Sequence, residues 1–276
     1  MNNNQGGSHN LTFPFQLDVV KDTILKQESL LKEVAKVYAD ALASGGIVHV
    51  YANGHSRVAV EELVIRMGAL TGFRAILSVG LTSFTDVIGS NGLRVTQFFE
   101  KVEGSGAELL DEIDFGPKDV MLVITATGTT AAAVDIAIEF NKRYPELALV
   151  GIASEKQSQE APSKHSSGKN LWHVIKEAKR GYFINNAMPV GDLTTEIVGQ
   201  TDTYLVCPLS SIGALTVVQS LNELTIKELD SRGVKHHTLR NMHLNNTQVN
   251  YDTWLRDQRE RYSKTVNNPD RVIPQS

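Results

Sequence analysis

The chain has 276 residues, of which 41% are hydrophobic and 21% charged, and its formal net charge is −4 at pH 7. That length and apolar share suffice for a sizeable core, while the slightly acidic balance offers no general basic surface for nucleic acid or an anionic membrane. The single cysteine, Cys207, excludes an intramolecular disulfide and a metal site built from several thiolates.

The chain opens with a polar stretch, and residues 1–14 are expected to form a flexible tail. This stretch has no basic region followed by an apolar one, so it does not resemble a signal peptide. No uninterrupted apolar run reaches the length of a membrane span. We therefore expect a soluble, cytoplasmic protein without a membrane partner.

Hydrophobic periodicity predicts one long amphipathic helix over 15–44, ended by Gly45 and Gly46. Short apolar runs then alternate with helical segments. The predicted strands are Ile47–Tyr51, Arg74–Val79, Val120–Thr125, Leu147–Ala153, Tyr182–Asn185 and Thr203–Val206. The predicted helices are Val58–Thr71, Ala131–Arg143 and Ile212–Ser231. This alternation indicates an α/β domain whose parallel sheet is covered by helices on both faces.

Two polar segments interrupt or follow this pattern. Residues 155–169 are dense in Ser, Lys, Gln and Glu and are expected to form a long surface loop. Residues 234–276 are expected to form an extension, with a charged helix near 251–264, that packs on the domain or on a partner subunit. The histidines of this extension (His236, His237 and His243) lack the spacing of metal ligands, so we predict no metal and no cofactor.

Two junctions between a strand and the following helix combine glycine with hydroxyl groups. The first is Ala52-Asn53-Gly54-His55-Ser56, and the second runs from Thr125 to Thr130 around Gly128. In a parallel sheet such junctions lie at the carboxyl ends of the strands, where ligands bind. A single hydroxyl there is explained by helix capping, but four threonines in six residues favour an anion site.

Longer stretches of the sequence resemble the sugar isomerase (SIS) domain family. GIVHVYANGHSRVAVEEL resembles its first motif, and LVITATGTTAAAVDIA resembles its second, the loop that binds a sugar phosphate. PSKHSSGKNLWHV, NAMPVGD and CPLSSIGALTVVQSLNEL further resemble a bacterial subgroup related to phosphoheptose isomerase. The resemblance covers residues 15–233, although Ala52 stands where glycine is usual and threonines replace serines in the second loop.

The resemblance implies a flavodoxin-like three-layer α/β/α sandwich that works as a homodimer or homotetramer. It places a set of residues around the anionic group: Ser56, Thr125, Thr127, Gly128, Thr129 and Thr130. It places Asn53, Gly54 and His55 along the sugar, and it matches Glu62 to the catalytic base. The stretch before Glu62 is about one helical turn shorter than in the family. A surface ion pair between Glu62 and Arg66 is therefore an alternative to the catalytic role, and Glu61 is the alternative base.

An aldose–ketose isomerase that works through an enediol needs a base near C2 and a proton donor near the oxygens. His55 and His165 are the candidate donors, because the pKa of histidine lies near neutrality, and Lys169 is a candidate cation for the ligand. The predicted function is isomerisation of a sugar phosphate or another anionic sugar. A sugar-phosphate sensor without turnover and a lyase or etherase acting on an N-acetylated sugar phosphate remain alternatives.

Overall fold

A computed structural model describes residues 11–82, 87–241, 243 and 248–275. Most of the expected flexible tail, residues 1–14, lies outside the described residues. The strands are β1 (Val48–Ala52), β2 (Phe73–Ile76), β3 (Val120–Ile124), β4 (Ala148–Ala153), β5 (Gly181–Asn185), β6 (Leu193–Val198) and β7 (Thr203–Pro208). The α-helices are α1 (Gln16–Lys26), α2 (Glu28–Ala43), α3 (Arg57–Val64), α4 (Val79–Thr82), α5 (Leu93–Phe99), α6 (Ser105–Asp111), α7 (Ala131–Arg143), α8 (Glu155–Glu160), α9 (Leu171–Glu177), α10 (Ser210–Ser231) and α11 (Gln248–Ser263).

Within the described residues, β1 to β5 form one parallel sheet in the order β2-β1-β3-β4-β5. This is the strand order of the flavodoxin-like doubly wound fold. The predicted fold class is therefore confirmed. The register places Ala52, the last residue of β1, beside Ile124, the last residue of β3, so the two candidate loops begin side by side.

Apolar side chains of the sheet alternate between two faces, and each face has its own core. Val50 and Leu122 point into the core formed with α1, α2, α3 and α10. Tyr51 and Val123 point into the opposite core, formed with α6, α7 and α9. Because both faces are covered, the strands read as continuous apolar runs in the sequence.

The predicted single helix over 15–44 is wrong, because Gln27 separates α1 from α2. The backbone of Gln27 leaves helical geometry, with φ −101° and ψ 10°. Its side-chain amide donates to the carbonyl of Asn185 at 2.9 Å and accepts from the Asn185 N–H at 2.8 Å. Gln27 thus supplies at the end of β5 the two hydrogen bonds that a neighbouring strand would otherwise make.

The predicted helix Val58–Thr71 is also too long, since α3 ends at Val64. The residues after it pair instead with the extension of the chain. Gly68 N donates to the Leu239 carbonyl at 2.6 Å, and Leu239 N donates to the Ala69 carbonyl at 2.9 Å. Contacts from a segment so distant in sequence override the local helical pattern.

Two further predictions differ from the structure beyond β5. The strand predicted over Thr203–Val206 exists as β7, but it pairs with β6 in a separate antiparallel ribbon rather than in the parallel sheet. The segment 155–169, predicted to be a loop, begins with α8. Its Ser158 N–H donates to the Ser154 carbonyl, so the polar composition hid a short helix.

The extension beyond Gly233 packs on the domain. The indole N–H of Trp254 donates to the Ala69 carbonyl at 3.1 Å, and the Tyr262 hydroxyl donates to the Phe73 carbonyl at 2.6 Å. His236, one of the three histidines considered above, lies 2.9 Å from a carboxylate oxygen of Asp230. Among the helices of the described ranges, none combines the length and apolar character needed to cross a bilayer.

Candidate active site

A pocket of about 300 Å³ lies where the carboxyl ends of β1 and β3 meet. Its walls come from the two predicted loops, from the residue after α5, and from the start of α10. The lining residues are Asn53, Gly54, His55, Ser56, Glu100, Thr125, Ala126, Thr127, Thr130, Asp192, Pro208, Ser210 and Ser211. Every side of the pocket carries hydroxyl, amide or carboxyl groups, which suits a polyhydroxylated ligand.

Asn53 and Glu100, which both line the pocket, are in contact. The Asn53 amide donates from Nδ2 to Oε1 of Glu100 at 2.8 Å. The other amide atom, Oδ1, is buried and accepts no hydrogen bond from any described residue. A buried polar atom without a partner is costly, so a ligand hydroxyl that donates to Oδ1 would remove that cost.

Gly54 leaves room for this carboxyl group. Its φ is +56°, and a Cβ atom at this position would lie 2.7 Å from Oε1 of Glu100. Any larger residue would therefore push Glu100 away while also adopting a backbone conformation that favours glycine. The first loop predicted from the sequence thus shapes the position of an acid that comes from another part of the chain.

The ionisation of Glu100 is perturbed. Burial raises the pKa of its carboxyl above the usual range, against smaller opposing effects from the hydrogen bond of Asn53 and the charge of Lys164. A buried carboxyl with a raised pKa holds its proton more readily, a property typical of acid–base groups in active sites. Glu100 is therefore the acid–base candidate of this pocket.

The main chain also fixes Glu100 in place. Its carbonyl accepts from the N–H of Ala132, in the first turn of α7, at 3.1 Å. The residue three positions later, Glu103, accepts from both the N–H and the hydroxyl of Ser166. The acid is thus held between the helix that follows the second loop and the HSSGK segment.

The threonines of the second loop divide into two groups. Thr125, Thr127 and Thr130 line the pocket. Thr129 is buried, and its hydroxyl lies 2.9 Å from that of Thr127. Gly128 has φ +74°, and a Cβ atom there would lie 2.3 Å from Oγ of Ser158. Thr129 and Gly128 therefore support the loop, while the other three face the ligand space.

Helix capping, the alternative role for hydroxyls in these loops, is not observed for Thr130 or Ser56. Thr130 and Ser56 occupy the positions before α7 and α3, and neither side chain makes a capping hydrogen bond to its helix. Both residues line the pocket. Their hydroxyls are therefore positioned to act as ligand donors beside two helix N-termini, which favour negative charge.

Asp192 and the first residues of α10 also line the pocket. Asp192 accepts from the N–H groups of Leu209 and Ser210 at 2.9 and 2.7 Å, and from the Ser210 hydroxyl at 2.7 Å. These three bonds leave the carboxylate capacity for a further donor. Asp192 thus caps α10 and can also accept from a ligand hydroxyl.

The structure does not place Glu62 in this pocket. Its Oε2 lies 3.4 Å from Nε of Arg66 and 3.5 Å from Nε2 of Gln219 on α10. Glu61 pairs with Arg57 at 3.7 Å. Both carboxyls lie on α3 beyond the lining of the pocket, so the pairing with Arg66 considered from the sequence is the one observed.

The two predicted proton donors are placed differently. His55 is exposed and lines the pocket. His165 lies in the HSSGK segment, where its ring lies 2.9 Å from the Ser167 hydroxyl and 3.4 Å from Oδ1 of Asp135. Lys169 pairs with Glu177 at 2.5 Å. His165 and Lys169 therefore organise the segment rather than line the pocket.

Glu100 was not predicted from the sequence. This residue follows α5 in a stretch, residues 80–115, to which no element was assigned. The only local signal is a single acid directly after two aromatic residues, Phe98 and Phe99, and such a signal is too common to identify a site. Ser210 was noted only within the CPLSSIGALTVVQSLNEL run. Asp192, with Asn185 and Asn186, follows a predicted strand at the end of the sheet where a pocket is expected, a position that ordinary turn chemistry explains equally well.

A separate cavity of about 310 Å³ lies at the amino ends of the strands. Its most buried acid, Asp119, accepts from the N–H groups of Ile47 and Gly116 and lies 3.1 Å from Nε2 of the buried His49. The oxygens of Asp119 are thus occupied by the fold itself. We assign the candidate site to the pocket at the carboxyl ends.

Comparison with known proteins identifies related chains. The sequence model of the SIS domain matches residues 16–154. Two UPF0309 proteins of Halalkalibacterium halodurans are 26% identical over 78% of this chain and 80% of their own, and 28% identical over 75% and 79%. A UPF0309 protein of Shouchella clausii is 23% identical over 78% and 82%. Their names state no activity.

Among solved structures, a Listeria monocytogenes protein provisionally named a sugar-phosphate isomerase matches with a TM-score of 0.35 and 12% identity. The match covers 82% of this chain and 95% of that protein.

Proposed function

This chain belongs to the SIS domain family, and we propose that it binds a sugar phosphate in the pocket at the carboxyl ends of β1 and β3 and interconverts its aldose and ketose forms. The observation that carries the proposal is Glu100. Its carboxyl has a raised pKa and is held by Asn53 in a pocket that Thr125, Thr127 and Thr130 also line. The pocket would thus combine hydroxyl donors for an anion with a carboxyl group that can accept and return a proton.

The phosphate would lie against the second loop. Thr127 and Thr130 present hydroxyls, and the N-terminus of α7 adds its favourable field for negative charge. No lysine or arginine belongs to the described lining of this pocket. Binding would therefore rest on neutral donors and helix ends, consistent with the absence of a general basic surface in the composition.

The sugar would extend from the phosphate toward Asn53 and Glu100. A sugar hydroxyl donating to the unpaired Oδ1 of Asn53 would bring the adjacent carbon close to the Glu100 carboxyl. Glu100 would remove the proton at C2 to give an enediol and return it to C1, so that the number of bound protons is unchanged after one turnover. His55, which lines the same pocket, would donate a proton to one sugar oxygen and accept one from the other.

Pairing of two or four chains stays a prediction. Several apolar side chains of the β6–β7 ribbon are exposed, among them Val198 at 76%, Tyr204 at 53% and Leu205 at 53%. Because the consecutive residues Tyr204 and Leu205 point to opposite sides of β7, apolar side chains are exposed on both faces of the ribbon, and exposed apolar surface is typical of interfaces between proteins. We propose a second copy of the chain as its partner.

A binding screen followed by product analysis tests the proposed function. Sugar phosphates of four to seven carbons are added singly, and a rise in melting temperature identifies binders by mass action. Each binder is then incubated with catalytic amounts of protein and followed by NMR. Formation of the ketose partner supports the proposal, whereas a binder that stays unchanged identifies a sensor, and a second product identifies a lyase.

A further inference from the structure

A second cavity of about 300 Å³, here called the adjoining cavity, lies beside the pocket. Its lining residues are Gln97, Glu100, Lys101, Thr130, Ala131 and Lys164. Glu100 and Thr130 also line the pocket, so the two spaces share the proposed acid–base group. A sugar chain that lies in the pocket with its C2 at Glu100 therefore has room to place its last carbon, C1, in the adjoining cavity.

The adjoining cavity differs from the pocket in its cations. Lys101 and Lys164 both line it, whereas the described lining of the pocket contains no lysine or arginine. Among the described residues, no carboxylate lies within ion-pair distance of either lysine. Burial raises the pKa of Glu100, and the charge of Lys164 opposes that rise, so this ammonium group is close enough to act on the carboxyl.

The segment that carries Lys164 is fixed to the segment that carries Glu100. Ser166, two residues after Lys164, donates to the carboxylate of Glu103 from its N–H at 2.7 Å and also from its hydroxyl. The ring of His165 lies 3.6 Å from the same carboxylate. Because Glu103 follows Glu100 by three residues, these contacts hold the backbone of Lys164 beside the stretch that carries the acid.

Isomerisation creates a negative charge on the oxygen at C1. When the carboxylate of Glu100 takes the C2 proton, the electrons of the C2–H bond form the C1=C2 bond, and the π electrons of the C1 carbonyl move onto its oxygen. The resulting enediolate carries its charge on O1 until that oxygen takes up a proton. A cation beside O1 stabilises this charge more than it stabilises the neutral carbonyl, and it therefore accelerates the step.

We infer that Lys164 is a catalytic residue whose ammonium group contacts the C1 oxygen in the adjoining cavity and stabilises the enediolate, with Lys101 adding positive charge to the same space. Lys164 stays protonated throughout, since His55 supplies the proton to the oxygen and Glu100 returns the proton to carbon. The inference rests on the proposed function, because it takes Glu100 as the base and the second loop as the phosphate site. It requires a substrate with a free carbonyl at C1.

Matched ligands test this role. Arabinonohydroxamate 5-phosphate has at C1 a planar group whose two oxygens imitate the enediolate, whereas arabinitol 5-phosphate has a neutral hydroxyl there and the same phosphate. Erythronohydroxamate 4-phosphate and erythritol 4-phosphate form a second pair with a shorter chain. In at least one pair, we expect the wild type to bind the hydroxamate about tenfold more tightly than the alditol, as measured by calorimetry at low salt. High salt should reduce this preference, because Lys164 is exposed.

Three variants assign the preference to one side chain. Lys164→Gln should lose the preference for the hydroxamate while it binds the alditol phosphate within twofold of the wild type. Lys164→Arg keeps the charge and should retain part of the preference. The matched control is Lys179→Gln, an exposed lysine paired with Glu146 outside both cavities, and it should keep the preference in full.

The outcomes separate the role of Lys164 from the proposed function. Equal binding of hydroxamate and alditol by the wild type, or a preference that survives in Lys164→Gln, overturns the role of Lys164 but leaves the pocket standing. An equal loss of affinity for both ligands of a pair in Lys164→Gln also overturns it, because Lys164 would then hold the phosphate. Failure of all four ligands to bind overturns the proposed function itself.

Discussion

The amide nitrogen of Asn53 lies 2.8 Å from a carboxyl oxygen of Glu100, although the two residues are 47 positions apart in the sequence. This bond joins the loop after β1 to the residue after α5. It orients the carboxyl group and leaves the other amide atom, Oδ1, buried without a partner among the described residues. The candidate site is organised around this pair.

Replacing Asn53 by alanine should move the pH dependence of turnover. The hydrogen bond from Asn53 lowers the pKa of Glu100, so its loss raises that pKa further. Because Glu100 must be ionised to act as the base, the rising limb of kcat/KM against pH should move to higher pH in Asn53→Ala. Profiles of the variant and wild type measure this shift. An unchanged pH profile of kcat/KM would show that Asn53 does not influence the pKa of Glu100.

Replacing Gly54 by alanine should displace the acid. The added Cβ would lie 2.7 Å from Oε1 of Glu100, and the φ of +56° strains an alanine. We expect a loss of about 1–2 kcal/mol in the free energy of unfolding and a fall in turnover of at least about tenfold. Gly233→Ala is the matched control, since Gly233 has φ +65° but no atom within 4 Å of the added Cβ. Equal turnover losses in both variants would contradict the steric role.

Glu100→Gln should change stability in a manner that depends on pH. Burial raises the pKa of Glu100 in the folded protein, so its ionisation disfavours the folded state as the pH rises past the ordinary value for a glutamic acid, about 4.3. Glutamine does not ionise. The free energy of unfolding of the variant relative to wild type should therefore increase from pH 4 to pH 8 in urea titrations. A difference that decreases with pH would indicate a stabilised carboxylate instead.

Replacing His165 by asparagine should affect stability more than chemistry. Its ring lies 3.4 Å from Asp135 and 2.9 Å from the Ser167 hydroxyl, beyond the lining of the pocket. We expect a loss of about 1 kcal/mol in stability and turnover within fivefold of the wild type. Urea unfolding and initial rates measure the two effects. A hundredfold loss of turnover at unchanged stability would restore His165 as a proton donor.

The predicted loops at 53–56 and 125–130 proved accurate in location because their signal is local. A buried strand, then glycine and hydroxyl residues, then a helix defines such a junction within a few residues, and the parallel register of Ala52 and Ile124 brings the two together. The alternation of apolar strands with helices likewise predicted the sheet. These features depend on near neighbours in the chain.

The features that the sequence did not predict depend on distant contacts. Gln27 interrupts the first helix because its amide pairs with Asn185, 158 residues away. Glu100 enters the pocket because Asn53 and Ala132 hold it, and no periodicity marks its segment. Glu62 was matched by its order in the chain, but the helix that carries it turns it toward Arg66. Residue types alone do not decide which of several acids faces a pocket.

Proton exchange at C2 of a bound sugar phosphate decides whether Glu100 or Glu62 is the base. A sugar phosphate that binds in the thermal screen is incubated in D₂O with the wild type, with Glu100→Gln or with Glu62→Gln, and loss of the C2 proton signal is followed by NMR. We predict exchange with the wild type, exchange at nearly the same rate with Glu62→Gln, and a rate lower by about 10² to 10⁴ with Glu100→Gln. Exchange that persists in Glu100→Gln and is lost in Glu62→Gln would contradict this prediction.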